Sequence, residues 1–194
     1  MLFLFAALVL AAATPDVGPP TVNGVFAQPD VCPGEGCDTT MWWRAKASVP
    51  LYKAPGSPRI IGYAKPGDRA AVRETLYWSH PQRGVVLIDA PPFKQGDVIY
   101  ALIPEGEGYT TVWRRGEQLT LPPDDELDSQ GRQVVQWNEA PRPDDIWWVK
   151  VRTSHGLTGW LKDPEAFACM GKLAGDENCV DAPQPKGRAA ASQP

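Results

Sequence analysis

Apolar positions between residues 32 and 175 recur mostly at a spacing of two, as in Ala70 and Val72, Leu119 and Leu121, and the run Trp147-Trp148-Val149-Lys150-Val151-Arg152. Period two sends alternate side chains to one face, the signature of a half-buried strand. Val98 to Ile103 is instead apolar throughout, the pattern of a strand covered on both faces. Three apolar stretches follow a turn of one form, basic-x-Gly-acidic: Lys65-Pro66-Gly67-Asp68, Lys94-Gln95-Gly96-Asp97 and Arg114-Arg115-Gly116-Glu117. Glycine supplies the positive φ that such a corner wants. Strands are further predicted over Trp42–Ala47, Pro50–Lys53, Arg59–Ala64, Ala70–Tyr77, Gly84–Ile88, Tyr109–Arg114, Gln133–Trp137, Ile146–Arg152 and Leu157–Leu161, with one helical turn over Pro164–Cys169.

Strands at intervals of about ten residues, with turn chemistry between them, describe an all-β fold, a small barrel or a sandwich. Composition agrees, because 18 Gly and 21 Pro in 194 residues leave little room for long helices. Residues 14–31 show no apolar period and carry four prolines, so they read as a linker. Residues 176–194, ending in the low-complexity stretch Asp181 to Pro194, read as a disordered tail that cannot bury a core.

The first thirteen residues, MLFLFAALVLAAA, have the form of a secretory signal peptide. Leu2 to Leu10 supply the apolar core and Ala11-Ala12-Ala13 the cleavage pattern, although no Lys or Arg precedes the run. A periplasmic or secreted location is expected. The run is shorter than the roughly 20 apolar residues that span a bilayer, and no later segment is a candidate membrane helix. Export bears on Cys32, Cys37, Cys169 and Cys179, since an even cysteine count in an exported chain favours disulfides. Spacing suggests pairing within each group, which closes two small loops; pairing across the groups would tie the ends together and stabilise more. A four-cysteine zinc site is the rival, but Cys-x4-Cys and Cys-x9-Cys are not the tight ligand pairs of zinc ribbons. The net charge of −4, with no basic cluster longer than Arg114–Arg115, argues against nucleic acid as a partner.

The hairpin Trp147 to Leu161, WWVKVRTSHGLTGWL, resembles the closing hairpin of bacterial Src-homology-3-like domains, with Trp148, Val151, Gly156, Gly159 and Trp160 at the matching places. The stretch Pro50 to Gly56, then Ile60-Ile61-Gly62, then Lys65 to Asp68, is similar to the family's opening half. The order of Cys32 to Cys37, Trp42 or Trp43, Gly96 to Tyr100, Gly106 to Tyr109, Val112-Trp113 and Gly116 also resembles a group of exported bacterial proteins with no assigned activity. The resemblance implies one or two small Src-homology-3-like β-barrels. The two halves lie nearly 100 residues apart, so either one barrel holds a long insert or two modules exist, divided near Phe93 into residues 32–93 and 94–175. The second arrangement is the one expected.

Eight tryptophans dominate the apolar inventory, and Trp160 is expected to be core. Tyr52, Tyr109, Trp113 and Trp148 are the candidates for an aromatic groove that receives an extended or proline-rich peptide. His80 and His155 each follow a serine, but a catalytic pair must meet in space with a third group orienting the base. Asp124-Asp125-Glu126-Leu127-Asp128 departs from a calcium loop in its glycine position, and Gly106-Glu107-Gly108 reads as a tight turn. Asp97 and Glu107 are a conceivable carboxylate pair without signs of burial. No catalytic residue, metal or cofactor is therefore expected. The expected function is a non-enzymatic binding module of the cell envelope, its ligand peptidoglycan (cell-wall peptide) or an envelope protein by family analogy. A carboxylate-dependent wall hydrolase and a structural subunit of an envelope complex are the alternatives.

Overall fold

The glycine turns place the strands, and they are of two kinds. In the first kind, an Asp carboxylate accepts the backbone N–H of the basic residue three positions earlier, at 2.8 Å for Lys65 and Asp68 and 3.0 Å for Lys94 and Asp97. Gly67 and Gly96 stand at φ +87° and +86°. Each turn also docks on an earlier strand end: the Gly67 N–H donates to Ala45 O and the Gly96 N–H to Val86 O. Arg114 to Glu117 is of the second kind, a two-residue hairpin with Arg115 and Gly116 both left-handed, the geometry whose twist matches its flanking strands. Gly106 to Tyr109 closes in the same way through Glu107 and Gly108.

The structure, a computed structural model, describes residues 16–33, 38–123, 128, 130–140 and 143–170. These form β1 (Phe26–Pro29), β2 (Trp42–Ala45), β3 (Val49–Tyr52), β4 (Ile60–Ala64), β5 (Arg69–Ser79), β6 (Gln82–Val86), β7 (Val98–Gly106), β8 (Tyr109–Arg114), β9 (Glu117–Leu121), β10 (Val135–Trp137), β11 (Ile146–Thr153), β12 (Thr158–Lys162) and β13 (Phe167–Ala168). A 3-10 turn, Pro164–Ala166, precedes β13. The fold is all-β, as the alternation predicts. Among the described residues no helix is long and apolar enough to cross a membrane.

All strand pairs are antiparallel, in two sheets. The larger runs β13-β2-β5-β11-β12-β3-β4, with β1 also on β5, and curls into a half-barrel. The smaller runs β10-β6-β7-β8-β9. The chain thus leaves the first sheet after Ser79, builds the second, and returns at Ile146. Trp43, Leu51, Val149, Leu161 and Phe167 fill the inner side of the first sheet. Val86, Phe93, Ile99, Val112 and Val134 form the core of the second. Phe26, Tyr77, Leu102 and Ile103 make a third cluster, joining residues of both sheets.

Three expectations change. The helical turn expected over Pro164–Cys169 stops at Ala166, because Phe167–Ala168 pairs with β2 as β13. Residues 14–31 are not simply a linker: Phe26 is buried and β1 pairs with the C-terminal end of β5. Four residues were too few to show a period. Trp160 is half-buried rather than core, because Gly159 and Leu161 take the inward positions of β12 and turn the indole to the outer face. There Lys150 Nζ stands 5.6 Å from its ring centre. Trp43, fully buried, holds the central place instead, with Trp147 at 5.8 Å and Phe167 at 6.2 Å. The expected signal peptide (1–13), the expected tail (176–194), Cys37 and Cys179 lie outside the described residues; Cys32 and Cys169 are not free thiols.

Trp43→Ala is expected to cost about 3–5 kcal/mol in urea unfolding, the range for truncating a large aromatic in a core. Trp160→Ala should cost less than half as much. Equal losses would contradict the inward–outward assignment of β12.

Candidate functional site

Strand pairing sets four polar and aromatic side chains in a row across the second sheet. Arg83 on β6 faces Tyr100 on β7, Tyr100 faces Trp113 on β8, and Trp113 faces Gln118 on β9. Directly opposed side chains stand about 5 Å apart, so the row forms one continuous surface. It lies on the face away from the second sheet's own core, because Ile99 and Val112, the neighbours of Tyr100 and Trp113 in sequence, point into that core, while Trp113 packs against the cluster of Phe26, Tyr77, Leu102 and Ile103. Alternation thus makes Val98 to Ile103 two-faced at Tyr100, although its apolar run suggested burial on both sides.

The chain's own N-terminal segment crosses this row. The Asp16 carboxylate accepts a hydrogen bond from the Tyr100 hydroxyl at 2.9 Å and lies 3.3 Å from Arg83 Nε. The Trp113 indole N–H donates to the Val17 carbonyl at 3.0 Å. Gly18 sits against the Tyr100 ring, with Pro19 and Pro20 following. The segment then turns at Val22–Val25 and enters β1, where Gln28 accepts a hydrogen bond from the Gln118 amide at 3.1 Å. Beside the row, Arg83 also lines an open cleft of about 640 Å³ with Val85, Gln133, Gln136, Trp137, Asn138 and Glu139.

The four aromatic candidates are divided between the sheets. Tyr52 and Trp148 meet edge to face at 5.8 Å, and Trp78 packs on Trp148 at 5.7 Å, on the outer face of the first sheet. Trp148 is buried there, so it offers a ligand almost no surface. Trp113 and Tyr109 share one face of β8 by alternation, with Trp113 nearer the row's centre. Tyr100 and Arg83 were missed. Their register opposite Trp113 comes from strand pairing, and the only hint in the sequence was one tyrosine inside an apolar run.

The polar candidates have structural roles. Ser79 is buried, and its hydroxyl has no partner among the described residues, so it is not hydrogen-bonded to a base. The His80 backbone N–H donates to Asp145 Oδ1 at 2.9 Å where the chain passes between the sheets. His155 lies on its exposed turn, 3.2 Å from Asp68. Asp97 is buried and bound by Arg115 at 2.8 Å and Arg114 at 3.5 Å. Asp97 and Glu107 flank the whole of β7, about 30 Å apart at 3.3 Å per residue, so they are not an acid–base pair. Asp128 is the one described member of its acidic stretch. Its hydrogen bond from Arg132 Nε at 3.0 Å is the main cause holding its carboxyl below the usual range.

Comparison with known proteins adds no relative: no protein-family model matches the chain, and neither a curated protein nor a solved structure matches it.

Burial raises the pKa of the Tyr100 phenol above its ordinary value, and the hydrogen bond and charge of Asp16 raise it further. The fold therefore favours the neutral phenol. This contribution is complete below the ordinary phenol pKa and disappears as pH rises through the raised one. Asp16→Asn should bring the Tyr100 midpoint down while leaving the part due to burial, as read by ultraviolet titration of the phenolate. An unchanged midpoint would place Asp16 away from Tyr100 in solution.

Proposed function

We propose that the chain is an exported, non-enzymatic binding module of the bacterial cell envelope, which receives an extended peptide on the face of its second sheet that carries Arg83, Tyr100 and Trp113. The observation that carries this reading is the peptide already there: residues 16–18 lie across Arg83, Tyr100 and Trp113, held through a carboxylate and a backbone carbonyl. Aromatic surfaces take extended and proline-rich segments because such segments lose little entropy on docking. Asp97, one of the two carboxylates considered for acid–base chemistry, is held by Arg114 and Arg115.

The Src-homology-3-like reading is also a proposal. Support comes from the two stretches that carry the resemblance, which meet in one sheet: β3 and β4 lie beside β12 and β11, with Tyr52 opposite Trp160. This favours a single barrel interrupted between β5 and β11, in place of two modules divided near Phe93.

The chain with Asp16→Lys, which frees the face, is expected to sediment with purified peptidoglycan, and the Asp16→Lys/Trp113→Ala chain is not. Failure of the first to sediment would remove wall peptide as the ligand and leave an envelope protein. Clearing of wall material in a zymogram would overturn the non-enzymatic reading.

A further inference from the structure

The row reads few features of the segment that lies on it. Arg83 and the Tyr100 hydroxyl both address the Asp16 carboxylate, so that position demands an acid. The Trp113 N–H addresses the Val17 carbonyl, while Val17 itself is 52% exposed, so its side chain is left unread. The Tyr100 ring lies under Gly18, where an added methyl would make ordinary contact at 3.6 Å, so the position accepts a small side chain, and the prolines that follow keep the chain extended. Acid, any residue, a small residue, then proline is the chemistry this surface takes.

The same segment is lightly fastened. Residues 16–21 make no backbone–backbone hydrogen bond to the described residues; the first are those between Val22 and Val25. The Asp16–Arg83 pair is open to solvent, with side chains 38% and 45% exposed, and pairs of that kind contribute little. Behind this arm the chain is firmly anchored through Phe26 and β1, so release of the arm need not disturb the sheets.

We propose that the Arg83–Tyr100–Trp113 row is a recognition site for an extended segment of the form acid-x-small-Pro in a partner protein, and that residues 16–20 are its internal ligand, displaced when the partner segment binds. This rests on the reading of the same face as a peptide-binding surface, and it names the ligand and the competitor. A tethered ligand acts at an effective concentration of order millimolar. Against a free segment with a dissociation constant of about 0.1 mM, the arm weakens apparent affinity about tenfold.

The test uses the full-length chain and a synthetic peptide of residues 14–20, TPDVGPP, followed through the Trp113 indole N–H resonance. The Asp16→Lys chain is expected to bind the peptide about tenfold more tightly than the unaltered chain, and to lose binding when the peptide's aspartate is replaced by lysine. Tyr100→Phe in the Asp16→Lys background keeps the ring, removes the donor to the carboxylate, and should weaken binding without changing the melting temperature. No binding to the Asp16→Lys chain, or equal binding to both chains, would overturn the proposal. Sedimentation of the Asp16→Lys chain with peptidoglycan but no binding of TPDVGPP would overturn this inference alone. Peptide binding without sedimentation would support it and remove only the wall as ligand.

Discussion

The larger sheet depends on the pairing of β5 with β11, from Ile146 opposite Trp78 to Thr153 opposite Ala70. β1 and β2 line the other side of β5, and β12, β3 and β4 follow from β11. Without this pair the two halves of the sheet separate. The partners are kept apart in sequence by residues 80–145, yet closing so long a segment adds little, because loop entropy grows only as the logarithm of length. The insert also closes its own neck. Its first strand, β6, pairs with its last, β10, so the chain leaves and re-enters at neighbouring positions. Asp145 latches that neck, accepting from the His80 backbone N–H at 2.9 Å and the Tyr77 hydroxyl at 3.4 Å.

Alternation then sorts the tryptophans. Trp147 and Trp148 are adjacent on β11 and go to opposite faces: Trp147 packs on Trp43, and Trp148 on Tyr52 and Trp78. Trp160 shares the outer face with Tyr52, its cross-strand neighbour. Both faces of the first sheet are thus aromatic, one as the core and one as a packed outer cluster. Within that cluster Trp148 is buried and Tyr52 half-buried. The surface with an occupant lies on the second sheet, where the row from Arg83 to Gln118 lies under the N-terminal arm. That arm links the second sheet, at Asp16, to the first, at β1.

Strand positions were legible because their signals are local. The hairpin of β11 and β12 was read from Trp147 to Leu161 and is found over Ile146–Thr153 and Thr158–Lys162. The Lys65–Asp68 and Lys94–Asp97 corners were read as one device and share one hydrogen-bond pattern. β1 escaped notice and β13 was read as part of a helical turn, being four and two residues long and held only by partners far away in the chain. Of the candidate site, Trp113 was legible as a surplus aromatic, whereas Tyr100, Arg83 and Asp16 were not, since they meet only through register.

The sequence alone therefore determined that the chain is all-β and where its strands and corners fall, because period two and positive-φ glycine act within a few residues. The tertiary structure decided which side of each strand faces inward. Leu161 and Trp160 are neighbours of equal apolar character, and only the packing of β12 chose the leucine for the core. It also decided that β5 finds β11 and that Asp16 finds Tyr100 and Arg83. Those choices are free energies of contact between distant segments, and no local pattern encodes them.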